Sequence, residues 1–510
     1  MGAWFKALKA GQLPPRWAAD LNYGYGTPIL IFIYPWPYFL STCFLSLGFG
    51  LVTTFKIVLF SSFFLSGLFI FLALKEFFED EKKAFLASLF YQFHSFRLIE
   101  LFVRGAFGEV FTYTFLPLAL WGLVKIFKGQ REKGFFLAVL GTSLLILSHN
   151  SISLSFFGVL VLFLLIFGRN WQQRLTAGLA LGFGLAVTAF YWLPALWERK
   201  YTYGDLFMKD LYLEHFPSLK QLFLPNFFNQ SWGQVHDIAV QIGLLPLLAM
   251  LLAAFWFCQK SAGKEKKIFL FSVIIFLASL LIMNPVSLPL WQKLPLLRQF
   301  QFSWRFLSLV VLATSLTSIS FFRVLKKRTW FYAALAGLVM ITSLFYWRPL
   351  GFDKIDESDY WQYPLNTTYF GEADTIWAAS PPNEYPEQRI EVVEGRGEIR
   401  NLSLSQTSHH FQIEAETEAR VLDRTFFFPG WRVFVDGVET EIQFQDPNYR
   451  GLLTFRLKPG LHQVEAVFGR TKDRQIAESL SLISLAVILA FFVKNIKQRL
   501  IISDNRLLQK

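Results

Sequence analysis

Charged and polar side chains gather where long apolar runs end, positions at which an ionisable group is costly and is a functional candidate by default. The first set is Arg16, Trp17 and Asp20, followed by Tyr23-Gly24-Tyr25-Gly26, inside the stretch LPPRWAADLNYGYGTPILIFIYPWPY from Leu13 to Tyr38. Its glycines allow backbone close to a ligand, and its aromatic faces suit a sugar ring or a lipid chain. The second set is Arg104-Gly105-Ala106 with Glu109. A guanidinium there can clamp a phosphate bidentately, and the carboxylate can accept a proton or hold a divalent metal. A local ion pair with a snorkelling arginine is the plainer account.

Three further sets follow. His149-Asn150 stands between two apolar runs, as a cleft residue pair or as ordinary packing. Gln299-Phe300-Gln301-Phe302-Ser303-Trp304-Arg305 opens an apolar run, where Arg305 either meets a lipid phosphate or anchors a helix at the interface. Tyr191-Trp192-Leu193-Pro194 with Glu198 closes another, and an aromatic-belt role would also explain its rings. His409-His410 is a weak metal signal, because strand neighbours point to opposite faces. Cys43 and Cys258 are the only cysteines, so no disulfide framework or CxxC metal site exists. No P-loop, GxSxG, HExxH or Rossmann pattern stands in a credible context.

The elements that must position these groups are membrane spans. Of 510 residues, 54% are hydrophobic and 17% charged, more apolar surface than a soluble core absorbs. Runs near the ~17–25 residues of a span read at 29–50, 52–74, 84–103, 111–128, 134–149, 151–168, 175–196, 238–258, 267–284, 305–322, 330–347 and 476–493. The net charge of +12 sits in short clusters between these runs, which excludes a nucleic-acid reading. Lys125, Lys128, Arg131, Lys133, Arg169, Arg174, Lys260, Lys264, Lys266, Lys267, Arg323, Lys326, Lys327, Arg328, Lys494, Lys497 and Arg499 all fall on one side if the runs from 111 onward alternate, and that side is expected to be cytoplasmic. The sets around Arg104, His149, Glu198 and Arg305, with residues 348–475, then lie on the outer side, while the opening stretch falls inside if 29–50 crosses.

Pro28, Pro35 and Pro37 make 29–50 a poor continuous helix, so it is expected to be broken or only partly inserted, with 1–50 outside. Lys6, Lys9 and Arg16 interrupt any cleavable signal peptide. The parity of spans asks for one more before Met1, and the reading frame is expected to start upstream. Residues 348–387, rich in Pro, Tyr, Asp and Glu, read as an extracytoplasmic connector. Residues 388–475 alternate polar and apolar around Pro429-Gly430, Asp436-Gly437 and Pro459-Gly460, as a small β-sandwich does. A last span at 476–493 and a cytoplasmic tail at 494–510 follow. The expected fold is therefore mainly α, a polytopic membrane bundle (1–347) with a small extracytoplasmic β-sandwich before the last transmembrane helix.

LPPRWAADLNYGYGTPIL, YPWPY, RGAFGE, SHN, FYWLPALWE and QFSWRF, in that order, resemble the bacterial and archaeal membrane proteins called 6-pyruvoyl-tetrahydropterin synthase-related, although nothing in the chain looks like a pterin enzyme. That group is similar to GT-C-type glycosyltransferases, and FFFPGWRVFVDG resembles the β module of such proteins. The resemblance implies transfer of a sugar from a polyprenyl-phosphate carrier to a glycan or protein acceptor at the outer face of the plasma membrane. It implies Asp20 and Glu109 as catalytic base or as ligands of a divalent cation (Mg2+ or Mn2+), and Arg104 and Arg305 as holders of the carrier phosphate. Arg16, Trp17, Tyr23, Tyr25, His149, Asn150, Glu198, Gln301 and Trp304 would line the substrate cleft. Two departures stand out: the usual first span with its acidic motif is missing, and Ser303 replaces a proline before Trp-Arg. A flippase for lipid-linked sugars, or an envelope scaffold whose β module binds glycans, are the alternatives.

Overall fold

Proline and capping side chains decide where the apolar runs break. The computed structural model describes residues 1–226, 238, 240–260, 263–324, 329–347, 349, 351–361, 371–378 and 380–507. In the run 29–50 the chain makes one turn, Ile29–Phe32, and then, from Pro35 as cap, the helix Trp36–Ser46. Its 11 residues rise ~16 Å, about half a ~30 Å hydrocarbon core. The expectation of a broken element fits.

The run 84–103, expected as one span, is a correction. The helix Glu81–Gln92 stops, His94 adopts an extended ψ of 133° and its ring accepts a hydrogen bond from the Phe96 amide, and the chain restarts as Ser95–Leu98 and a π turn, Ile99–Val103. Among the described residues five helices are long and apolar enough to cross a membrane: Leu51–Phe78, Glu109–Phe127, Asn150–Phe167, Ser303–Val324 and Lys472–Val493. Two bent pairs qualify if each counts as one span. They are Trp171–Val187 with Ala189–Trp197, bent by 64°, and Gly263–Ile282 with Pro285–Lys293, bent by 80°. Other expected spans fall on shorter helices, Arg131–Ile146, Leu244–Lys260 and Thr329–Ser343.

The basic clusters meet at one end of this bundle. Lys125 pairs with Glu76 at 3.0 Å and Lys128 with Glu79 at 2.6 Å, while Arg131 donates to the Gln172 side chain and Lys267 to the Ile166 carbonyl. Arg323 pairs with Glu265 beside them. Lys326, Lys327 and Arg328 lie outside the described residues, as do the side chains of Lys494, Lys497 and Arg499.

At the other end of the bent pair that starts beside Arg131 stands the β module. Strands β1 (Ile390–Glu394), β4 (Ala419–Phe426) and β7 (Leu452–Leu457) form one antiparallel sheet in the order β1-β4-β7. Strands β2 (Gly397–Leu404), β3 (Ser408–Ala415), β5 (Trp431–Val435), β6 (Val438–Thr440) and β8 (Gly460–Phe468) form a second, β2-β3-β8-β5-β6. Val421 and Phe455 from the first meet Ile413, Val433 and Val464 from the second in one core, the expected sandwich. The Asp436-Gly437 turn has φ of 51° and 80°, the two left-handed values of a type I′ hairpin. As pleating demands, His409 is buried on Asp423 and His410 is exposed.

The opening stretch is part of that module. Trp17 is fully enclosed between Trp431 and Phe468, Ile31 shares the same core, and the Phe426 amide donates to the Tyr25 carbonyl at 2.9 Å. The β module and the membrane domain are thereby joined by residues 17–31, between the helix Gly2–Lys9 and the helix Trp36–Ser46.

Candidate functional site

The π turn sets up the site. By widening the helix it directs Glu100 toward Arg104, whose Nη1 lies 2.7 Å from both Glu100 carboxylate oxygens. Gly105, with φ of +55°, then turns the chain so that Glu109 opens the helix Glu109–Phe127, a favourable place for a negative charge. Arg104 Nη1 also reaches Glu109 Oε2 at 3.1 Å. From the opposite side Arg305 donates to Glu109 Oε1 through Nε at 3.1 Å and Nη2 at 2.8 Å. The result is a closed cluster of two carboxylates and two guanidiniums, with Glu109 only 4% exposed.

The surrounding shell holds these groups in place. Arg305 Nη1 donates to the Phe300 carbonyl and to Gln301 Oε1, and Gln301 sits at φ +61°, a strained value for a residue with a side chain. Arg104 lies 4.7 Å over the Trp304 ring and Arg305 4.7 Å over Phe302. His149 Nδ1 accepts from the Ile152 amide, so the neutral ring carries its proton on Nε2, which points at Glu109 Oε1 from 3.7 Å. Tyr34 packs at a tilt against His149, centroids 5.1 Å apart, and lies on Gly108, where a Cβ would come within 2.2 Å of the Tyr34 ring. Asn150 is exposed at the rim, accepts from Tyr191 Oη and donates to the Phe32 carbonyl.

The structure brings Glu109, Arg104, His149, Asn150, Gln301, Trp304 and Arg305 together. The other sites fall elsewhere. Asp20 makes no contact with the cluster: Lys6 Nζ holds its Oδ2 at 2.7 Å, and its Oδ1 is buried without a partner. Aromatic neighbours lead from there to the cluster, since Trp4 on the Lys6 helix stacks on Tyr38, Tyr38 stacks on Tyr34, and Tyr34 packs at a tilt against His149. Arg16 donates to the Phe190 carbonyl and to Glu478 of the last helix. Glu198 is buried and takes both oxygens onto Arg474, at 2.8 and 2.9 Å. Tyr25 packs on Phe426 and Tyr23 meets Tyr385 edge-on. These four residues and Trp17 are spent on the seam between membrane domain and β module, which corrects the expectation that they line one cleft with Glu109.

Sequence reasoning missed Glu100, Tyr34 and Arg474. Glu100 carried a signal, a lone carboxylate within an apolar run and four residues before Arg104. Arg474 pairs across 276 positions and had none.

A divalent cation fits this donor set poorly at Glu109. Both its oxygens face guanidinium groups, whose charge repels a metal, and among the described residues no three His, Cys, Asp or Glu side chains gather as a metal site. What the arrangement offers is a pair of planar, fork-shaped donors suited to an oxyanion.

The family model of the 6-pyruvoyl-tetrahydropterin synthase related domain, described as a membrane protein, matches residues 31–350. The match takes in the whole Glu100–Arg305 cluster and leaves out Arg16, Trp17, Asp20 and the β module. No curated protein matches the chain.

Proposed function

As the chain belongs to the 6-pyruvoyl-tetrahydropterin synthase-related family of membrane proteins, we propose that it is a membrane glycosyltransferase using a polyprenyl-phosphate sugar at the face that bears the β module. The observation that carries this reading is the buried cluster in which Arg104 and Arg305 share Glu109. Arg104 and Arg305 converge on Glu109 from opposite sides, with Glu100 as the second carboxylate, at a helix end beside an exposed Asn150; planar donors so converged suit an oxyanion that replaces Glu109. In the reaction the bond from the anomeric carbon to the phosphate oxygen breaks and that carbon bonds the acceptor oxygen. The charge left on the polyprenyl phosphate falls to Arg104 and Arg305, and the acceptor, bound along Tyr34 and Tyr38 between that cluster and Asp20, gives its proton to Asp20, whose Oδ1 has no partner. Glu109, with Glu100 on Arg104, holds the two guanidiniums in place until the phosphate arrives. The face is proposed to be extracytoplasmic and the membrane the plasma membrane, on the distribution of basic residues.

The test is transfer from a radiolabelled polyprenyl-phosphate sugar by the full chain in proteoliposomes. Asp20→Asn and Glu109→Gln are each expected to abolish transfer without loss of expression, and unchanged activity in both defeats the assignment. Transfer is expected to survive EDTA; loss that Mg2+ or Mn2+ restores puts a cation at Asp20 instead. Label crossing the bilayer uncleaved identifies a flippase.

A further inference from the structure

An apolar track begins two residues from Arg104. Phe102 is half exposed and Trp347 stacks on it in parallel, centroids 6.0 Å apart and planes 5° apart. Trp347 also stacks on Phe93 at 5.6 Å and 18°. Phe93 in turn walls a cavity of about 120 Å3 between the helices Glu81–Gln92, Leu244–Lys260 and Thr329–Ser343, bounded by Phe90, Pro246, Leu338 and Val339 and edged by Ser95 and Tyr346. For scale, a cavity of ~150 Å3 lined by aliphatic side chains binds benzene, so this one takes about one five-carbon branched unit.

Apolar side chains facing lipid are ordinary in a membrane protein. A strip of three stacked rings that starts two residues along the chain from Arg104 and ends in a cavity is not, because its two ends differ in chemistry and its middle is flat. The slot has room for one chain, whereas a diacyl phospholipid brings two. We propose that the single isoprenoid chain of a phosphate-bearing lipid lies along Phe102, Trp347 and Phe93 and seats one of its units in the cavity beside Leu338. The proposal rests on the reading of Arg104 and Arg305 as the phosphate clamp.

The experiment measures binding of a long polyprenyl monophosphate and of geranyl monophosphate to the full chain in nanodiscs. Leu338→Trp, which fills the slot, and Phe102→Ala, at an exposed ring that folding tolerates, are each expected to lower the long-to-short affinity ratio about tenfold while geranyl monophosphate binds as before. An unchanged ratio in the folded variants overturns the track, as does phosphatidylglycerol competing as well as the long polyprenyl monophosphate. Arg104→Gln separates the two ideas. If it weakens both ligands while the ratio ignores Leu338→Trp and Phe102→Ala, the phosphate clamp stands and the track falls. If it weakens neither, the clamp falls, and a wild-type chain that binds neither ligand sinks both.

Discussion

Glu198 and Arg474 show what a buried charge costs when its partner is removed. Both side chains are almost fully enclosed, and two hydrogen bonds join them. Glu198→Gln strands the guanidinium in low dielectric and is expected to destabilise the protein by ~3–5 kcal/mol, read as a fall in melting temperature of the detergent-solubilised chain; an unchanged melting temperature contradicts the burial. Gly108 makes the complementary point for sterics. A methyl there lies 2.2 Å from the Tyr34 ring and 2.5 Å from the Ser148 carbonyl, and the second contact is backbone that cannot swing away. Gly108→Ala should therefore push Tyr34 off His149 and reduce transfer in the proteoliposome assay at least as much as Tyr34→Phe, which removes only a hydroxyl.

Among the elements, the β module carries its own pH dependence. Burial pushes the Asp423 carboxyl up, but the charge and hydrogen bond of His409, with help from Arg389 and Thr425, outweigh it and hold the group below its usual range. A depressed carboxyl contributes stability that is present above its unfolded value, ~3.9, and is lost as pH falls through the lower folded value. His462 runs the opposite way. Its bond to Asp436 raises its pKa, so its contribution is present below the unfolded value of ~6.5 and fades as pH rises through the folded one. Replacing His409 with alanine removes the largest force holding Asp423 ionised, and should move the acid limb of the module's unfolding upward in pH; tryptophan fluorescence against pH, with Trp431 close to His409, follows it. An acid limb that does not move contradicts the coupling.

At the scale of the whole molecule, one end gathers lysine and arginine and the other carries the sandwich and the buried cluster. In a background with Cys43 and Cys258 replaced by serine, Ser403→Cys on the exposed strand β2 should react with a membrane-impermeant maleimide on intact cells, and Lys133→Cys should not. The reverse pattern inverts the proposed orientation and removes the carrier reading with it. The arrangement also shows why the β module cannot be an independent appendage. Trp17 and Ile31 are in its core, and Asn22 donates to Asp374 of the connector at 2.8 Å, so truncating the opening stretch unpacks the sandwich as well as the bundle.

The amino-acid sequence by itself determined the class and much of the site. Hydropathy marks membrane segments because unsatisfied backbone is intolerable in lipid, period-two alternation marks the strands, and the Asp436-Gly437 hairpin follows from its turn residues. Arg104, Glu109, His149 and Arg305 were legible because a charge at the end of an apolar run has few reasons to be there. Tertiary structure alone decided which charges meet. A guanidinium reaches any carboxylate that folding brings within about 3 Å, and sequence distance places no limit on that: Arg305 finds Glu109 across 196 positions and Arg474 finds Glu198 across 276. The same rule takes Asp20 to Lys6 and Trp17 into the sandwich, so that residues which read as one cleft in the chain are sorted into a site and a seam.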